Sequence, residues 1–325
     1  MAIGAGLAGQ IGLATQSVDY DTAATVTRFL EFDNENIVTD VAKLYGRGIG
    51  VGRFQRADRV KTYIRQASGQ VLLPVMNKGF GLVFEHMLGQ NTITGATADK
   101  THTAIPSAAA LAGKFATWQV GRPDLAGTVQ PFTFIGGKVR AWEFQFRVDE
   151  ILQLMLDLDF KTVGVGTALA SASYAATQEF FAFHEGALSI DGSTFYVKSG
   201  TLRGENGLAH DRRFLGNLKR EPLAAGELIV SGQLEAEFEN RDVYDAWVAG
   251  TVPGQLVLSF TTATLIPTTA VPFSLTITLD DIEYNGDTPN VDDEGILQQA
   301  IPFKALYDGT NPLVQVVYVT NDTAS

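Results

Sequence analysis

The clearest alternation in the chain runs through AWEFQFRV at 141–148 and ILQLMLDLDF at 151–160. In the first, Trp142, Phe144, Phe146 and Val148 alternate with Glu143, Gln145 and Arg147. In the second, Leu152, Leu154, Leu156, Leu158 and Phe160 share one face, with Gln153, Asp157 and Asp159 on the other. Period two with one apolar face predicts half-buried antiparallel strands. Only Asp149 and Glu150 separate them, so the spacing predicts a tight hairpin. PFSLTITL (272–279) and PLVQVVYV (312–319) read as further strands.

A second pattern occurs twice. SGQVLLPVMNKGFGLVFEHMLG (68–89) and SGQLEAEFENRDVYDAWVAGT (231–251) each predict a strand running into a short helix, with Ser68, Gly69, Gln70 and Asn77 matching Ser231, Gly232, Gln233 and Asn240. Asn77 and Asn240 stand where a helix N-cap is wanted. Phe80, Phe84 and Met87 mark one helical face, as Val243 and Trp247 do in the second copy. Further pairs keep this order: FLEF (29–32) with FFAF (180–183), ADR (57–59) with HDR (210–212), and VDEILQ (148–153) with DDEGILQ (292–298). Collinear matches of this kind predict a duplicated unit, with a join near GTALASASYAATQ at 166–178. The copies are unequal: where the second places Glu235, Glu237 and Glu239 outward beside inward Leu234, Ala236 and Phe238, the first has Leu72, Pro74 and Met76. That apolar face must be covered by the chain itself or by a neighbour.

At 325 residues the chain can fill two cores. It has no cysteine, so neither disulfides nor thiolate metal sites hold it. No run of twenty apolar residues and no basic start followed by an apolar stretch is present, so the protein is expected to be made and kept in a cytoplasm. The net charge of −12 is unevenly spread. Residues 43–65 hold Lys43, Arg47, Arg53, Arg56, Arg59, Lys61 and Arg65 against Asp58. Residues 198–220 hold Lys198, Arg203, Arg212, Arg213, Lys219 and Arg220 against Glu205 and Asp211. Basic loops on an otherwise acidic molecule suit contacts between copies of the chain.

Little points to catalysis. GAGLAGQ (4–10) has the G-x-G-x-x-G spacing of a dinucleotide loop, but that loop needs a strand before it and a helix behind it, and only Met1 to Ile3 precede Gly4. His86, His102, His184 and His210 are widely spaced and form no H-x-x-x-H or H-E-x-x-H pair. His86 reads as a core or rim histidine. There is no G-x-S-x-G elbow or Walker-type phosphate loop. Asp157 and Asp159 read as an exposed acidic stripe rather than a catalytic dyad.

With the residues read, a resemblance adds to them. VTRFLEF (26–32), GFGLVFEHMLG (79–89), QVGRPDLAGTVQPFTFIGGKVRAWEF (119–144), GENGLAHDRRFLG (204–216), PFSLTITL (272–279), GDTPNV and the closing IPFKALYDGTNPLVQVVYVTND resemble, in order and spacing, the major tail tube proteins of bacteriophages with long non-contractile tails. The likeness runs from about residue 3 to 322. It implies a mainly β fold of two tandem β-sandwich domains, each with a flanking α-helix, whose inner strands join those of neighbours in a closed barrel. The expected division is an N-terminal arm (1–24), tube domain 1 (25–165), a linker (166–178) and tube domain 2 (179–325).

The resemblance also implies a structural subunit, not an enzyme and without cofactors, whose rings stack into a tube in the virion tail that conducts the DNA genome from capsid to host. The nearest alternative is the tube of a phage-derived secretion or injection apparatus. Six tube domains per ring imply a homotrimer with pseudo-sixfold symmetry, the alternative being a homohexamer with the second half on the outside. Partners would be further copies of the chain, the tape measure protein and genomic DNA in the lumen without specific binding, and the terminator and tip proteins; no membrane is involved. The two basic loops would contact the adjacent ring through Arg47, Arg53, Arg56, Arg59, Lys61, Arg65, Arg203, Arg212 and Arg213. Candidates for an acidic lumen that repels phosphate are Glu143, Asp157, Asp159, Glu235, Glu237 and Glu239. The N-terminal arm is expected to order against a neighbour on assembly.

Overall fold

The computed structural model describes residues 6–47, 49–50, 54–95, 98–216, 219–252, 254–267, 269–286, 288, 291 and 294–322. Mainly β, the first half contains β1 (Gln10–Thr15), β2 (Arg28–Leu30), β3 (Asn34–Glu35), β4 (Val38–Tyr45), β5 (Val60–Pro74), helix α1 (Gly81–Leu88), β6 (Gly89–Thr94), β7 (Lys100–Pro106), β8 (Ala116–Pro123), β9 (Val129–Arg147), β10 (Gln153–Phe160) and β11 (Thr162–Gly164). The second contains β12 (Gly186–Ile190), β13 (Ser193–Thr194), β14 (Ser199–Glu205), a small pair β15 (Leu208–Ala209) and β16 (Leu223–Ala224), β17 (Ile229–Glu237), α2 (Asp242–Ala249), β18 (Gly254–Leu265), β19 (Pro272–Tyr284), β20 (Gln298–Leu306) and β21 (Val314–Thr320).

One antiparallel sheet crosses both halves in the order β4–β5–β10–β9–β14–β17–β20–β19, with β3 extending β4 along β5. Its central joint is β9 with β14, from Ala141↔Glu205 to Arg147↔Ser199. Period two separates its faces. The row Leu73, Leu154, Phe144, Leu202, Gly232, Phe303, Tyr284 turns into the core. Immediately beside it the row Asn34, Leu72, Met155, Glu143, Arg203, Ser231, Lys304, Glu283 turns away.

The predicted alternation of 141–148 and 151–160 therefore forms the middle of this sheet, with the tight turn between them at Asp149, whose φ is +65°. Glycines make room at the joint. A Cβ on Gly204 would lie 2.2 Å from Trp142 Cε2, and one on Gly200 2.4 Å from Phe146 Cζ.

Each half adds a second layer. In the first it is β2–β1–β8–β9–β11, where residues 129–134 of β9 pair with β8 before the strand bends at Gly136 (φ +70°) into the long sheet. In the second it is β13–β12–β18–β19–β21. The β6–β7 hairpin of the first half extends that layer of the second, with Ala104↔Val316 and His102↔Tyr318. Sequence alone gave no sign of this exchange.

Several expectations need correction. Residues 10–15, assigned to the arm, are a buried strand between β2 and β8. Sheet neighbours on both sides bury Ile11 to Ala14 without a break. Asn77 is not a cap, because Phe80 precedes α1 and the Asn77 side chain instead accepts from the Glu179 N–H at 3.0 Å. Asn240 too lies outside the cap position, one residue before it, since Arg241 precedes α2, although its side chain does accept from the Asp242 N–H at 2.9 Å. FLEF and FFAF are not counterparts: residues 28–30 pair with β1 as 193–194 pair with β12, so 29–32 corresponds to 194–197.

Segment 166–178 is pinned along the first half, with Gln119 Nε2 donating to the Ala168 carbonyl (3.0 Å) and Lys78 Nζ to that of Ala176 (2.8 Å). Residues 180 and 182 still pair with the first half, at Met76 and Ile151. Pro74 and Met76 are buried within the chain, so no neighbour is needed to cover them.

Candidate functional site

The two basic loops have different structures. The first is the tip of the β4–β5 hairpin, and it presents apolar as well as basic groups: Leu44, Tyr45, Ile49 and Phe54 are exposed. Arg47 and Lys61 are exposed too, whereas Arg56 is paired with Asp58 at 2.8 Å and Arg65 with Asp40 at 3.3 Å. Arg59 is half-buried at the start of β5. Arg53 lies outside the described residues.

The second loop folds back onto its own chain. Lys219, fully buried, donates to both oxygens of Asp159 at 2.6 and 2.7 Å and to the Phe160 carbonyl at 3.1 Å. Lys138, also fully buried, holds Glu221 at 2.5 Å. Arg213 pairs with Asp211 and donates to Gln66 Oε1, and Arg212 donates to the Glu221 carbonyl. Burial raises the Asp159 pKa against the pull of Lys219, and burial lowers that of Lys219. Asp159 is thus no lumen group. The loop that desolvates and neutralises it comes from sixty residues further along the chain. Phe214 and Leu215 remain exposed at its turn.

Arg203 is not a loop residue either. It lies in β14 opposite Glu143, on the outward face of the long sheet, and pairs with Glu205 at 2.6 Å. Glu143, Asp157 and Glu235 also belong to this face. Asp157 is paired with Arg140, and Glu237 with Lys198 at 2.8 Å. Along the row Glu143, Arg203, Ser231, Lys304, Glu283, acids and bases are interleaved, and Asp157, Glu205 and Glu235 add further acids to the same face. Glu239 stands beyond the end of β17, beside a groove under α2.

The remaining chemistry is structural. His86 is buried in α1 beside Thr15, Nε2 to hydroxyl 2.9 Å, and burial pushes its pKa down to about 4. His102 packs against Tyr318 and meets the Asn91 amide. Gly6–Ala8 form a 3-10 turn that leads into a strand, the reverse of a dinucleotide loop. Among the described residues no group of three His, Cys, Asp or Glu is placed to hold a metal ion. No helix there is long and apolar enough to cross a membrane.

Among the described residues, β4 at one end of the long sheet pairs only with β5 and its short extension lies along the same strand, and at the other end Glu283 and Tyr284 of β19 pair only with β20, Ile282 being also paired with Gly254 of β18. A sheet with open edges, a polar outer face and a hairpin tip bearing exposed apolar residues is the surface of a protein suited to association with further copies. The family model described as phage tail tube protein matches residues 6–305, and the chain belongs to that family. Its role is that of a structural tail tube component of the virion, self-assembling into a tube. No curated protein matches the chain.

Proposed function

We propose that the chain is two copies of one tube domain and that three chains close a ring of pseudo-sixfold symmetry, whose stacking makes the DNA conduit of a long non-contractile tail. The single observation that carries this is the joint of β9 with β14, which puts the inner strands of both halves in one sheet. A half placed outside the wall as decoration would not share that sheet. At the seam between chains, the end of β19 would meet β4 of the next copy as β9 meets β14.

Magnitude favours three chains. With strands about 4.8 Å apart and tilted about 40°, three chains of eight strands close at a backbone diameter of roughly 48 Å; six chains would give about 96 Å. The smaller barrel, narrowed by side chains, passes one DNA duplex. A polar wall with interleaved charge presents no continuous basic track to phosphates, which lets DNA move through without being held. Tape measure, terminator and tip proteins are the further partners of this reading.

The test is the rotational symmetry of one ring in assembled tubes by cryo-electron microscopy. Threefold symmetry with six similar lobes is expected; strict sixfold symmetry would overturn the trimer. Stacking is assigned to the β4–β5 tip. Leu44→Asp with Ile49→Asp, both on exposed side chains, should leave the melting temperature within about 2 °C, since surface changes cost under ~0.5 kcal/mol. Tubes should shorten to single rings or short stacks by negative-stain microscopy. Full-length tubes from this variant would exclude the tip as the ring-to-ring contact.

A further inference from the structure

In the first half a strand-like segment fills the groove beside α1. The Asn77 N–H donates to the Glu179 carbonyl (2.8 Å), the Phe181 N–H to that of Val75 (3.1 Å), and the Leu152 N–H to that of Phe181 (2.9 Å). Phe180 pairs with Met76. All of α1 except Glu85 is buried. The segment then turns through a 3-10 element, Phe183–Glu185, closed by Gly186 N–H to the Phe183 carbonyl, and enters β12.

The start of the chain repeats this exit. Gly6–Ala8 is a 3-10 turn closed by Gly9 N–H to the Gly6 carbonyl (2.9 Å), and it leads into β1. In the sequence, residues 2–4 precede this turn by the same number of positions as 179–181 precede Phe183–Glu185. In the second half the counterpart of the filled groove is Phe238–Asn240 with Leu297: the Phe238 N–H donates to Leu297 as the Val75 N–H does to Leu152, both at 2.9 Å. There the groove stands open at about 480 Å³, walled by Tyr196, Ala236, Val243, Ala246 and Tyr284. No residue of α2 is buried. Among the described residues nothing bonds the Asn240 N–H.

We infer that residues 2–6 of a second copy of this chain occupy the groove under α2, adding a short strand along Phe238–Asn240 with Ile3 opposite Glu239. The inference rests on the two-copy reading of the preceding subsection. Within the chain, the segment that fills a groove belongs to the half that follows along the sheet. The half that follows the second half is the first half of the next copy. Main-chain pairing supplies the attraction in strand addition of this kind, and Ala2, Gly4 and Gly6 suit a groove walled by two tyrosines because small residues let backbones approach closely.

The chain has no cysteine, so a designed disulfide is unambiguous. The variant Ile3→Cys with Glu239→Cys, assembled and then oxidised, should give a ladder ending at the trimer on a non-reducing gel. Mixing the two single variants should give dimers and nothing larger. A cross-linked monomer would overturn the second copy as occupant. No cross-link in tubes of threefold symmetry would overturn the seat and leave the ring standing, whereas no cross-link in tubes of sixfold symmetry would remove both. Deleting residues 2–5 should leave circular dichroism and melting unchanged and abolish rings; rings formed at the wild-type level would also overturn the proposal.

Discussion

Lys219→Met is expected to lower the stability of the chain by about 3–5 kcal/mol at neutral pH, the usual consequence of leaving a buried charge without its partner. The Asp159 carboxylate accepts both of its close bonds from Lys219, and both side chains are shut away from water. The pH dependence separates this mechanism from loss of packing. Burial already raises the Asp159 pKa above its ordinary 3.8, and removing the ammonium raises it further. An acid whose folded pKa lies above its unfolded value binds more protons when folded, so stability falls as pH rises from the unfolded value through the folded one. The deficit of the variant should therefore shrink as pH is lowered from 7 towards 4. Chemical denaturation of both proteins across that range measures it. A deficit independent of pH would mean that the loop, rather than the charge, is what Lys219 holds.

The second large effect is at the joint between the halves. Gly204→Val puts two methyl groups where a single Cβ would already lie 2.2 Å from the Trp142 ring. Trp142 is almost wholly buried between Phe144 and the rest of the core and has nowhere to move. Overpacking of this degree costs about 3 kcal/mol, a fall of several degrees in melting temperature for a chain of this size. Adding Trp142→Leu should return part of the loss by making room at the same spot. If the double variant melts lower than either single one, the two residues do not share the contact.

Elements with strong periodicity were legible in the sequence. The alternation of 141–148 and 151–160 named the centre of the long sheet, and the paired S-G-Q segments found β5 with α1 and β17 with α2. What failed depended on contacts between distant residues. Asp159 reads as exposed from its place in an alternating strand, because the lysine that covers it is remote in sequence. FLEF and FFAF matched as apolar strings, and only their pairing partners show that they do different work. Asn77 has the right residue type for a cap, yet a crossing segment about a hundred residues away uses its side chain first. Of the candidate surface, the basic tip of the first hairpin was visible, but its exposed leucine and isoleucine carry no periodic signal, and the bases set among the acids of the long sheet's outer face, Arg203 and Lys304, emerge only from strand register.

The β6–β7 hairpin gives the molecule a mechanical grain. It staples the first half to the second layer of the second half through five residue pairs with β21, whereas the chain from α2 passes to β18 without any such hairpin. In the ring of three chains proposed above, every second joint would therefore be clasped in two layers and the alternate joints in one. Pulled, bent or heated, such a ring would yield at its three single-layer joints and release intact chains, so the tube would behave as stiff double segments linked by softer hinges.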